Sequence, residues 1–77
     1  MFKLEFTLHT FDASVNTIKS SLTEFGEALE IAECAHPPGA RGKDFLITIS
    51  TEEPTCIFDI CSQFGRIKSI KVSEDTT

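Results

Sequence analysis

Residues 2–10 alternate strictly, with Phe2, Leu4, Phe6 and Leu8 on one parity and Lys3, Glu5, Thr7 and His9 on the other. A period of two with one apolar side predicts a half-buried β-strand. Beyond Phe11 the period lengthens, and Val15, Ile18, Leu22 and Phe25 recur at the spacing of one helical face. Asp12 stands where a carboxylate accepts from the free amides of a first turn, and Gly26 where a left-handed residue closes a helix. A helix is therefore predicted over 13–25, with Asp12 contributing about 1 kcal/mol as its cap. Alternation returns over 28–34, with Leu29 and Ile31 opposed to Glu30, Ala32 and Cys34. It returns again over 44–50, with Phe45, Ile47 and Ile49 opposed to Asp44, Leu46 and Thr48. Leu46 makes this strand apolar on both sides at its middle, which suits a central position. Between the two, His36-Pro37-Pro38-Gly39-Ala40-Arg41-Gly42 reads as a hairpin loop, because proline withholds a donor and glycine loosens the backbone.

Thr51-Glu52-Glu53-Pro54 predicts a second helix start, combining a hydroxyl cap, acids that favour the positive end of the helix dipole, and a proline where no donor is needed. Ile57, Ile60, Cys61 and Phe64 form its stripe and Gly65 its end. A last strand over 67–73 carries Ile70 and Val72, so one domain spans 1–73 and a disordered polar tail spans 74–77. A shift of 39 residues lays the first half on the second: Phe6 on Phe45, Asp12 on Thr51, Ile18 on Ile57 and Phe25-Gly26 on Phe64-Gly65. Two strand–helix–strand units predict β-α-β-β-α-β, an α+β ferredoxin-like sandwich. Its sheet has four antiparallel strands, with two helices on one face and the second and fourth strands at the edges.

Composition narrows the function. Seventy-seven residues allow one domain, and a net charge of −5 with a sequence pI near 4.8 counts against an extended nucleic-acid or anionic-membrane surface. No apolar run has the length of a membrane span, and the charges in Met1-Phe2-Lys3-Leu4-Glu5 do not suit a signal peptide. Three cysteines without a CxxC pair point to reduced thiols and a cytoplasmic protein. So short a chain buries only about 60–65% of its unfolded surface, which favours self-association, most simply as a dimer.

Candidate chemistry is sparse. His9, Cys34 and His36 are the metal-ligand types nearest one another in sequence, but Cys34-x-His36 is an atypical spacing and no fourth ligand is evident, so no metal site is expected. Cys56 and Cys61 share the second helix with Asp59 and no histidine, which suits packing rather than a reactive thiol. No catalytic carboxylate pair, GxSxG or HExxH occurs, so neither an enzyme nor a cofactor is expected. Arg41-Gly42-Lys43 fails as a phosphate loop because Pro37 and Asp44 occupy the positions that need glycine and a hydroxyl. Arg41 to Ile47 resembles a degenerate RNA-recognition signature, but stacking on RNA needs aromatics on the open sheet face. Phe6 and Phe45 fall on the core parity instead, so nucleic acid is not an expected partner.

The span 2–73, and Phe64-Gly65-Arg66-Ile67-Lys68-Ser69-Ile70-Lys71-Val72 within it, resembles an ACT-type regulatory domain. That resemblance implies side-by-side pairing of two copies and a small effector held near the first strand-to-helix turn, at Thr10, Phe11, Asp12 and Ser14. Asp12 matches the family's polar turn residue, whereas the glycine that usually follows is absent. A second expectation is a protein-interaction module using the open sheet face or an edge, with Ala32, Leu46, Phe58, Arg66 and Lys68 at the interface. Glu27, Glu30 and Glu33 line one predicted edge and Arg66, Lys68 and Lys71 the other, and opposite signs are expected to favour edge-to-edge or side-by-side pairing.

Overall fold

A computed structural model describes residues 1–34 and 41–74; the predicted loop positions 36–40, with His36 among them, and the tail residues 75–77 lie outside that description. The elements run β1 (Phe2–Thr10), α1 (Val15–Thr23), β2 (Glu27–Glu33), β3 (Lys43–Thr51), α2 (Pro54–Ser62) and β4 (Gly65–Glu74). The sheet order is β2-β3-β1-β4 with every neighbouring pair antiparallel, so β2 and β4 are the edges, as the β-α-β-β-α-β order predicts. The fold is α+β with a β-α-β-β-α-β order, and β4 starts at Gly65, two residues before its predicted start, and takes in Glu74, the first residue assigned to the tail.

The alternating apolar residues of the two central strands build the core. Leu4, Phe6 and Leu8 from β1 meet Phe45, Ile47 and Ile49 from β3, and Ile18, Leu22, Ile57 and Cys61 close over them from the helices. Val15 and Phe25, predicted on the buried stripe, are 38% and 48% exposed instead. The helix is shorter than its period suggests, and both residues fall at or beyond its ends.

The helix starts also differ from expectation. Ser14, not Asp12, caps α1, its hydroxyl accepting from the Thr17 amide at 3.2 Å. Asp12 is exposed in a turn held by the Thr10 hydroxyl, which accepts from the Ala13 amide. Ser14→Ala should therefore cost about 1 kcal/mol, while Asp12→Ala should leave the denaturation midpoint nearly unchanged. Equal losses would restore Asp12 as the cap. At α2 the N-cap position is Glu53, without a side-chain cap bond, and Pro54 opens the helix.

The internal repeat is real but has two offsets. Strands β1 and β3 correspond at a shift of 41 residues, and helices α1 and α2 at 39. The difference is a strand-to-helix turn two residues longer in the first half. Thr10 thus corresponds to Thr51, and Asp12 has no counterpart at Thr51. Each buried threonine locks the other half's helix end: Thr10 donates to the Phe64 carbonyl and Thr51 to the Phe25 carbonyl, both at 2.8 Å. Their oxygens also accept from Ala13 and Glu53 amides, so neither hydroxyl is left without a partner in the core.

Gly26 and Gly65 follow those phenylalanines for a reason other than a left-handed cap, since neither has positive φ. A methyl at Gly26 would lie 2.7 Å from the Ser50 carbonyl oxygen, and one at Gly65 would overlap the His9 carbonyl group. Glycine lets each helix end press against the last turn of the opposite strand.

Candidate functional site

The helices cover one side of the sheet, and the register arranges the residues of the other. Ala32, Leu46, Thr7 and Lys68 form one row across β2, β3, β1 and β4. Glu30, Thr48, Glu5 and Lys71 form the next. At one end His9 lies between Asp44 and Arg66 in register, its Nδ1 paired with Asp44 Oδ1 at 2.5 Å. Cys34 completes that row, its amide donating to the Asp44 carbonyl. The open face therefore carries glutamates along β2, lysines and an arginine along β4, and Leu46, 37% exposed, near its centre.

Four of the interface candidates come together here: Ala32 and Leu46 are cross-strand neighbours, and Arg66 and Lys68 stand on the β4 side of the same face. Phe58 does not join them. It is half-buried on the helix side, its ring edge-to-face with Phe6 at a centroid distance of 5.6 Å. Phe6 and Phe45 are both in the core, so the open face offers neither as a stacking platform.

The turn candidates are divided. Thr10 is buried with its hydroxyl engaged on both sides, and Ser14 is the helix cap, also bonded to Thr17 Oγ1. Phe11 is 67% exposed and stacks edge-to-face on His9, and Asp12 is exposed beside it. Both line an open cleft with Thr17, Gln63 and Phe64. The repeat duplicates this cleft at the other end of the sheet, where Glu24, Phe25, Glu52, Glu53 and Cys56 line the equivalent space. The two differ in charge: the second is ringed by carboxylates, whereas the first has Asp12 beside a neutral amide and two rings.

Two thiols on α2, Cys56 and Cys61, are pushed towards their protonated form. At Cys56 the hydrogen bond to Glu53 Oε2, then desolvation and the charges of Glu53 and Asp59, raise the pKa. Burial pushes Cys61 to about 12. An unfolded chain ionises Cys61 nearer 9, so this thiol's contribution to stability is full below that pH and is lost as pH rises from about 9 towards 12. A denaturation series across the alkaline range should show that decline, and Cys61→Ala should flatten it; an unchanged slope would remove Cys61 as its source. Among the described residues no cluster of three or more metal-ligand side chains occurs, and no helix is long and apolar enough to cross a membrane.

No family model, curated protein or solved structure matches the chain. Any functional reading rests on the chain's own surfaces.

Proposed function

We propose that this protein is a non-enzymatic interaction module whose working surface is the open sheet face. The observation that carries this reading is the arrangement of that face. An acidic side on β2 and a basic side on β4 flank exposed Leu46 and Ala32. Among the described residues, Glu27, Glu30, Arg66, Lys68 and Lys71 form no ion pair within 4 Å with one another. Unpaired charges of both signs around a small apolar centre favour a complementary protein surface, which gains orientation from the charges and water exclusion at the centre. The test is native mass spectrometry of the tagged chain recovered from its own cells, beside Leu46→Arg. The wild type should carry a stoichiometric protein, whether a second copy or another chain, and the folded variant should not. A bare wild type, or the same partner on Leu46→Arg, would reject the reading.

The cleft beside the first turn favours a second reading. Phe11, Asp12, Gln63 and Phe64 there supply a carboxylate, an amide and two rings, a set suited to a small aminated effector. This is the role that the ACT resemblance implies for Asp12. Thermal scans with a panel of amino acids and amines check it: a ligand that stabilises wild type but not Asp12→Asn supports it, and no shift across the panel counts against it.

A further inference from the structure

We infer that the partner of the open face is a second copy of this chain, stacked sheet on sheet about a twofold axis that runs parallel to the strands between β1 and β3. This rests on the open face being the working surface and adds its occupant and geometry.

Symmetry makes the selection. The acidic and basic edges lie at opposite ends of the order β2-β3-β1-β4. A closed edge-to-edge pair must match like with like. It would set β2 glutamates against β2 glutamates, or β4 lysines against β4 lysines, so the expected edge-to-edge or side-by-side pairing gains nothing from the opposite signs. Opposite edges meet in two ways. One is head-to-tail addition of β2 to the next copy's β4, which builds rings or open filaments rather than a closed dimer. Both edges resist that, because each is bulged at a non-glycine residue in the left-handed region, Ala28 at φ 53° on β2 and Ser69 at φ 54° on β4. Such bulges interrupt the ladder that an added strand needs.

The other way is the face-to-face pair. Rotation about an axis parallel to the strands lays each β4 over the partner's β2 and leaves the rows level. Lys71 and Glu30 occupy one row, so each copy's lysine is set over the other's glutamate, twice per dimer. Leu46 and Thr7 flank the axis in the next row, which places the exposed leucine at the centre, where water is excluded best. Sheets stack about 10 Å apart, a gap that lysine and glutamate side chains span from both sides. A twofold perpendicular to the strands would instead put β4 on β4. The charges therefore specify both the face and the axis.

Sedimentation equilibrium over a range of protein and salt concentrations tests this on the full chain. The wild type should form a closed dimer that weakens as salt rises. Lys68→Glu with Lys71→Glu should weaken it about tenfold or more, as should Glu27→Lys with Glu30→Lys. A mixture of these two double variants should restore a dimer, because each then presents one sign to the other's opposite sign on both sides. Leu46→Arg should abolish it while circular dichroism shows a native sheet. Open-ended assemblies, a dimer indifferent to Leu46→Arg, or failure of the mixture to recover would overturn the face-to-face pair. A wild type that is monomeric but retains a different protein through Leu46 would overturn it while leaving the interaction reading standing. A wild type both monomeric and bare would reject both.

Discussion

Gly65→Ala should destabilise the domain by about 3 kcal/mol or more, a large share of the roughly 4–12 kcal/mol expected for a chain of this size. The added methyl would overlap the His9 carbonyl group and come within 3.1 Å of the Thr10 α-carbon. All of these neighbours are backbone, and they belong to a central strand hydrogen-bonded on both sides. No rotamer change relieves the overlap. Either β4 moves away from β1 or the lock between Thr10 and the Phe64 carbonyl opens. Gly26→Ala should cost less, about 1–3 kcal/mol, because its methyl would lie 2.6 Å from the tip of the Ile49 side chain and 2.7 Å from the Ser50 carbonyl oxygen, a milder clash than the overlap with the His9 carbonyl oxygen at Gly65. Urea midpoints at constant slope measure both. A Gly65→Ala loss below that of Gly26→Ala would mean that the two halves are not pressed together as the threonine locks imply.

The glycine pair shows where sequence reasoning stops. Alternation alone places Leu4, Phe6, Leu8, Phe45, Ile47 and Ile49 in the core and puts Thr7, Leu46 and Thr48 on the opposite face, because a strand's period converts directly into a face. Phe-Gly after a helical stripe says only that glycine is needed, and a left-handed cap and a close approach from a distant strand leave the same mark. Asp12 and Ser14 are equally good cap types, and only the Thr10 hydroxyl, by holding the turn, decides that the helix waits for Ser14. The exposure of Ile70 and Val72, 51% each, is a matter of length. Ten strand residues of β4 extend about 33 Å, whereas nine helical residues of α2 cover about 14 Å. The helix cannot roof the whole strand, and no local pattern reports that shortfall. The open face was legible residue by residue. Its acidic and basic edges follow from the predicted β-α-β-β-α-β order, whereas the rows that set Glu30 level with Lys71 and Ala32 level with Lys68 come only from the register of the folded sheet.

Phe6→Ala should cost about 3–5 kcal/mol, and Leu46→Ala almost nothing in a monomer. Phe6 is fully buried, faces Ile47 across β1 and β3, and supports the Phe58 ring from α2. Its removal leaves a cavity in the middle of a small core and strips Phe58 of an edge-to-face contact of about 0.5–1.5 kcal/mol. Leu46 lies across from Thr7, one row further along the same strand pair, but on the other side of the sheet, where truncation opens no cavity. The contrast separates the two faces by experiment. With Phe6→Ala the melting temperature should fall at every protein concentration, since the loss is within the chain. With Leu46→Ala the dilute protein should melt like wild type, but any rise in melting temperature with concentration should shrink, because only the associated state has lost a contact. A concentration-dependent loss for Phe6→Ala and none for Leu46→Ala would invert the assignment of the faces. The core would then lie where the alternation places solvent, and the open-face dimer would lose its centre.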